Sequence, residues 1–437
     1  ISKTRIHGVN MKSLVQTVKG TRDFYPEEMA VRSWLYQTIR GVSGAYGYEE
    51  YEGPILEKID LYAAKSGEEL VKEQAFVFQD RGGDCITLRP ELTPSLARMV
   101  AQRQRELAFP LRWWSFGPFW RYERPQKGRT REFFQWNIDM IGVNSPEADA
   151  ELVSICVAFF RAVGLSPQQV KILVNNRRLM DAELGGLGIA AELRPRVFHL
   201  IDRRDKLSPE AWEAYALESG LSQAQLDALK ALLVNPDLWQ RSDELVRFFD
   251  ALEAYDARDY VHFDPQIVRG LDYYTGIIFE GRDAARDGRA ILGGGHYDNL
   301  VSDVGGDPLP GVGFAMGDVM IGLVLQKYGC LPQLRAMDDA VLVTVFDESM
   351  QTSSARLAAQ LRRAGLKVIA YPEPAKLSKQ LKFADRKGVR MVVICGPDEQ
   401  AAGQVTLKDL ARRTQETLAQ EDAASRLQQW LAEPPSV

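Results

Sequence analysis

Residues 111–142 read LRWWSFGPFWRYERPQKGRTREFFQWNIDMIG. Two runs rich in aromatic and aliphatic residues, LRWWSFGPFWRYE (111–123) and FFQWNIDMIG (133–142), flank a short basic turn. Strand-like runs joined by a turn, with no helix between them, predict antiparallel neighbours. CITLRPEL (85–92), GIIFEG (276–281) and GVGFAMG (311–317) read the same way. Together they predict an α+β protein built on an antiparallel or mixed sheet, and they argue against a doubly wound parallel one.

The turn itself is unusual in its charge. Five of the sixteen residues 121–136 are Arg or Lys, although the chain carries 54 Lys plus Arg against 59 Asp plus Glu, a formal charge of −5. A polyanionic partner would therefore be met by a local patch rather than by a basic surface at large. On a strand, Arg121 and Glu123 would point to one side, with Tyr122 between them. A guanidinium can grip a phosphate through two parallel hydrogen bonds. A carboxylate can accept from an amino group such as adenine N6, and Phe133 offers a ring on which a base can stack. The competing reading is a solvated hairpin whose charges pair with one another.

Working outward, 437 residues predict two or three domains with sizeable cores. The four cysteines, Cys85, Cys156, Cys330 and Cys395, form no CxxC pair and read as buried free thiols in a reducing compartment. No uncharged apolar run reaches about 18 residues, so no membrane-spanning helix is expected. Residues 1–10, ISKTRIHGVN, lack the apolar core of a secretory signal and read as an extension ahead of a native start at Met11. A cytoplasmic location follows as the expectation.

Val31, Leu35, Ile39, Val42 and Tyr46 mark one stripe of an amphipathic helix that ends near Gly47, with Pro54 in the extended segment beyond it. Residues 176–258 change character: helical periods such as SQAQLDALKALL replace the strand signals and suggest a helical insertion within the sheet domain. After KYGCLPQLRAMDD the pattern becomes AVLVTVF, helix, LKVIAYP, helix, RMVVICG, which predicts a small parallel α/β domain. The expected boundaries are 11–330 for the sheet domain, 331–339 for a linker and 340–437 for the α/β domain.

Several other stretches could carry chemistry. In TLRPELTPSLAR (87–98), Glu91 and Thr93 would share a strand face, and an inward Glu91 would need a partner; Thr93-Pro94 could equally open a helix. In IVRGLDYYTGIIFEG (267–281), Arg269, Asp272, Tyr273 and Tyr274 crowd around Gly270, as an anion site or as a packed aromatic turn. LGGGHYDNL (292–300) lets backbone approach a ligand closely, or is a plain turn, and His296 has no neighbouring second metal ligand. GVGFAMG is not a dinucleotide fingerprint, because its glycines are spaced GxGxxxG. Lys379, Lys382 and Arg386 fall on one helical face, suited to phosphates or to solvent.

The order and wording of these segments carry more than each alone. VKGTRDFYPEE (18–28), RYERPQKGRTREFFQ (121–135), RGLDYYTGIIFE (269–280), GGGHYD (293–298) and the KLSKQLKFADRKG…VVICG tail together resemble the histidyl-tRNA synthetases, over essentially Met11 to the C-terminal helix. The resemblance implies a class II synthetase-type catalytic domain with a helical insertion and a C-terminal anticodon-binding α/β domain. It implies ATP as substrate with Mg²⁺, L-histidine and tRNA(His) as partners, no membrane, and a homodimer built on the helix at 28–46 and the strand ending at Pro54.

By the same resemblance, Arg121 looks like the second-motif arginine on the α-phosphate, faced by Arg269. Glu123 looks like the adenine reader and Phe133 the stacking ring. Glu91, Thr93, Gln135, Asp139, Tyr273 and Tyr274 correspond to the histidine pocket. Arg124, Gln126, Lys127 and Arg129 would meet the tRNA acceptor end. No residue is assigned to a protein-held metal.

Two positions depart from the family pattern. Met320 stands in Gly317-Asp318-Val319-Met320 where the third motif usually ends in Arg, and His296 stands where the family usually has Arg. These departures sustain an alternative: a non-charging paralogue such as the regulatory subunit of ATP phosphoribosyltransferase. Those paralogues lack the anticodon-binding tail that residues 340–430 would supply.

Overall fold

The computed structural model describes all residues except 1–14, 64–72, 269–273, 286–287, 333, 335–336, 338 and 434–437. The chain divides into two compact units, one of residues up to Asp23 with Trp34–Leu331, the other of Phe24–Ser33 with Pro332–Val437.

The first unit is organised by an eight-stranded sheet. Its members in chain order are β1 (Glu49–Glu50), β5 (Leu111–Trp120), β6 (Glu132–Ile141), β7 (Val170–Asn176), β8 (Val261–Phe263), β9 (Ile277–Asp283), β10 (Leu292–Tyr297) and β11 (Gly311–Gly317). Across the sheet the order is β1-β5-β6-β11-β10-β9-β7-β8. Only the outer pairs β1–β5 and β7–β8 are parallel; the pairings between β5 and β7 are antiparallel. A separate three-stranded sheet holds β2 (Leu56–Lys58), β3 (Phe76–Gln79) and β4 (Cys85–Leu88).

Strand alternation decides which side of the sheet becomes chemical. On β6, Trp136, Ile138 and Met140 share one face and are buried in the main core with Phe159 and Phe160 of the Pro146–Ala162 helix. Trp136 lies edge-on to Phe314, with ring centroids 4.8 Å apart. The opposite face carries Phe133, Gln135 and Asp139, aromatic and polar, before Ile141 closes the strand in a smaller apolar cluster. β11 runs past Asp139 only because residue 313 is Gly: a β-carbon at this position would overlap the Asp139 carboxylate.

The helical insertion is present between β7 and β8. It contains the helices Arg177–Gly186, Arg194–Asp202, Pro209–Glu218, Gln223–Leu232 and Asp243–Ala254. Ser222 opens one of them with a reciprocal capping box to Gln225.

The second unit has a five-stranded sheet in the order β13 (Lys367–Ala370), β12 (Ala340–Val343), β14 (Met391–Ile394), β15 (Gln404–Asp409) and β16 (Thr414–Ala419). The first three are parallel, as the α/β pattern predicts. β15 and β16 form an antiparallel hairpin that the sequence reading omitted, so this sheet is mixed. TQETLA shows no alternation, and QVTLKD and TQETLA together include only three large aliphatic side chains, which hid them.

Three local expectations change. β5 stops at Trp120, so Arg121 and Glu123 lie in irregular backbone beyond the strand. Glu91 likewise falls in the bend between β4 and the Thr93–Arg103 helix, and Thr93-Pro94 does open that helix. Of the four free thiols only Cys156 and Cys395 are buried, while Cys85 is exposed.

Candidate active site

Beyond β5 the chain reverses through residues 121–131 and re-enters the sheet as β6. The reversal is closed by backbone hydrogen bonds from Arg121 N to Arg131 O at 2.9 Å and between Gln126 and Arg129 in both directions, at 3.0 and 2.9 Å. Gly128 takes φ of +78° at its tip, a left-handed conformation that favours glycine. The N-terminal KGTR segment supports the hairpin from outside: Arg131 N and Glu132 N both donate to Gly20 O, at 2.9 and 3.1 Å.

Inside this frame is a cleft of about 650 Å³. Arg121, Glu123, Arg129, Phe133, Gln135, Arg289 and Met320 are among its lining residues. The Arg121 Nε donates to Pro90 O at 3.0 Å, and its guanidinium carbon lies 5.5 Å from the Phe133 ring centroid. Phe133 is stacked on Phe119, with centroids 5.8 Å apart and ring planes 28° apart. Glu123 is buried and ion-paired with Arg129. Burial is the main cause that lowers the Arg129 pKa from its ordinary value; Glu123 opposes this, and the neighbouring Arg289 and Arg121 charges add to it.

The sequence-predicted residues therefore separate into groups. Arg121, Glu123, Phe133 and Gln135 share the cleft. Glu91, Asp139 and Tyr274 are buried and do not line it. Glu91 accepts the Tyr62 hydroxyl at its backbone oxygen, at 3.3 Å. Thr93 is half-buried at the first turn of its helix. Asp139 accepts the Tyr297 hydroxyl at 3.0 Å; burial pushes its carboxyl up to about 7, against the lowering effect of that hydrogen bond. Arg124, Gln126 and Lys127 are exposed on the turn, whereas Arg129 faces inward to the cleft. Arg269 and Tyr273 lie outside the described residues.

Sequence reasoning missed three residues that hold this site. Arg89 is completely buried, paired with Glu52, and donates to Pro118 O and Gly53 O, both at 2.9 Å. Its guanidinium carbon is 4.6 Å from the Phe119 ring centroid, on the same stack as Phe133. An Arg flanked by Leu88 and Pro90 in an apolar stretch was the available signal. Asp318 accepts from Arg22 at 2.8 Å and from the Phe134 backbone N at 2.9 Å, tying KGTR and β6 to the helix that begins there. Arg289 lies in a non-periodic loop and gave no signal.

His296 is buried, with Nδ1 2.9 Å from Asp149 and Nε2 3.3 Å from Asp298. Burial alone would lower its pKa, but the Asp149 hydrogen bond and charge, with Asp298, outweigh burial and raise it. The imidazole is therefore a partner of two carboxylates.

Comparison with known proteins bears on the whole chain. The family described as histidyl-tRNA synthetase matches residues 20–318, and the family described as anticodon binding domain matches residues 339–430. A histidine–tRNA ligase of Leptospira biflexa is 36% identical over 433 residues, covering 96% of this chain and 99% of that one. The chloroplastic/mitochondrial histidine–tRNA ligase of Arabidopsis thaliana is 38% identical over 407 residues, covering 91% of this chain and 83% of that one. The crystal structure of histidyl-tRNA synthetase from Nostoc sp. PCC 7120 superposes with a TM-score of 0.82 at 26% identity, covering 96% of this chain and all of that one. With its antiparallel catalytic-type sheet, its inserted helices and its matched C-terminal unit, this chain belongs to the histidyl-tRNA synthetase family.

Proposed function

We propose that the chain ligates L-histidine to tRNA(His), activating the amino acid with ATP as a histidyl-adenylate. The observation that carries the reading is a cleft in which Arg121, a guanidinium without a carboxylate partner among the described residues, stands beside a buried carboxylate and a stacked aromatic ring, in a chain of this family.

In this reading Glu123 accepts from adenine N6 and Phe133 stacks the base. Arg121 stabilises the charge that develops as the histidine carboxylate attacks the α-phosphorus and pyrophosphate leaves. Arg269 would face it, by resemblance alone. Glu91, Thr93, Gln135, Asp139, Tyr273 and Tyr274 recognise the amino acid: a neutral imidazole has one donor and one acceptor, which carboxylates and a tyrosine hydroxyl can match. Mg²⁺ enters with ATP as the counter-ion of its phosphates. The exposed Arg124, Gln126 and Lys127 meet the tRNA acceptor end, and the inward Arg129 joins them only from the cleft side. Residues 11–330 form the catalytic domain, 331–339 the linker and 340–437 the anticodon-binding domain. The functional particle is a homodimer of the cytoplasm, although one relative is organellar. Among the described residues no helix is long and apolar enough to cross a membrane.

Histidine-dependent ATP–pyrophosphate exchange tests the proposal. Exchange that requires histidine supports it. Histidine binding without exchange would favour the regulatory-subunit alternative, which Met320 and His296 keep in view.

A further inference from the structure

Charge accounting in the cleft leaves two guanidiniums over. Among its lining residues Arg129 pairs with Glu123, Arg282 with Glu280 and Lys206 with Asp202. Among the described residues neither Arg121 nor Arg289 has a carboxylate partner. Arg121 is committed to the α-phosphate in the reading above. Arg289 is exposed in the loop between β9 and β10, near enough to Arg129 for its charge to be felt there.

Met320 packs beside the loop that carries Arg289. Its side chain lies between two glycine turns. A β-carbon at Gly128 would overlap the Met320 Sδ, and one at Gly288 would lie 3.6 Å from its Cε. The first turn carries Arg129 and the second carries Arg289, so two cations flank an uncharged thioether. A thioether packs but does not bind phosphate. Among the described residues Arg129 has Glu123 as its counter-charge, while the nearby Arg121 and Arg289 leave the group with more cations than anions until a ligand supplies negative charge.

We propose that Arg289, together with Arg129, grips the β- and γ-phosphates of ATP where Met320 supplies no charge. This rests on the synthetase reading of the cleft. When the histidine carboxylate oxygen bonds to the α-phosphorus, the bond from that phosphorus to the bridging oxygen breaks. Its electron pair leaves on pyrophosphate, and Arg289 holds that leaving group. Arg289 does not touch the α-phosphate or the base.

Equilibrium binding of ATP, AMP and inorganic pyrophosphate to the full chain, its Arg289→Ala and its Arg289→Lys variants tests this. Charged hydrogen bonds of this kind correspond to about tenfold to a hundredfold in affinity. Arg289→Ala is expected to weaken ATP and pyrophosphate by that factor while AMP binding stays unchanged, and Arg289→Lys to recover part of the loss. Unchanged ATP and pyrophosphate affinity would overturn the proposal, as would an equal loss for AMP, which would mark a merely structural effect. The binding readout is independent of turnover. A wild-type chain that shows no exchange, yet loses ATP and pyrophosphate affinity but not AMP affinity on Arg289→Ala, would sink the ligase reading and leave only the Arg289 contact to the β- and γ-phosphates standing.

Discussion

Among the described residues Arg121 is anchored by a backbone oxygen rather than by a carboxylate, which leaves its guanidinium charge available to a ligand. Arg121→Ala should therefore lower kcat for exchange by about 10²–10³-fold, the usual loss when one preorganised donor to developing charge is removed. The melting temperature should stay within a few degrees, because no ion pair among the described residues is broken. Arg269→Ala should likewise abolish exchange and leave the fold intact. Asp139 makes a separate prediction. The fold prefers its neutral form, so its contribution to stability is full below about pH 4 and is lost as pH rises through about 7. If its ionised form receives the substrate's cationic or donor groups, KM for histidine should fall as pH is raised through about 7. Asp139→Asn should flatten that profile; an unchanged profile would remove Asp139 from recognition. At this scale the sequence revealed residues whose neighbours are distinctive, such as Arg121, Glu123 and Phe133 around one basic turn. It concealed Arg89 and Arg289, because nothing in local spacing says that one arginine is buried under an aromatic stack or that another faces a cleft across a loop.

Elements place these residues through alternation. β6 sends Trp136, Ile138 and Met140 into the core and turns Phe133, Gln135 and Asp139 to the other face. A one-residue slip would reverse every one of them. β11 secures that register by passing Asp139 with a glycine. Gly313→Ala should cost about 1–3 kcal/mol, as overpacking does, read from urea denaturation; a change below about 0.5 kcal/mol would mean that the strands part more readily than their contacts imply. The β5–β6 pair was legible because aromatic runs on both sides of a turn admit few alternatives. The end of β5 was not. A strand-like pattern continues through Arg121 and Glu123, but the chain turns there because Glu123 N donates to Arg121 O at 2.8 Å, a local bond that no hydrophobic period records. Glu91 was placed on a strand for the same reason: burial was inferred correctly, while the bend at Pro90 was not.

At the scale of the whole molecule, the C-terminal unit was readable as alternating strands and helices, and its polar closing hairpin was not. Its helix Leu377–Lys387 presents Lys379, Lys382 and Arg386 to solvent; among the described residues only Lys379 of the three is ion-paired, to Glu373 at 3.4 Å. If this face meets tRNA phosphates, replacing all three by Ala should raise KM for tRNA about tenfold or more. It should also flatten the salt dependence of binding and leave histidine-dependent exchange unaltered. Equal losses in both reactions would contradict a division of labour between the units. The central claim is that this chain transfers histidine to its tRNA. Its most direct measurement is aminoacylation of a tRNA(His) transcript by the full chain, offered each of the twenty amino acids with ATP. Stable charging is expected with histidine alone. Failure to charge histidine under conditions that sustain exchange, or charging with another amino acid in its place, would contradict it.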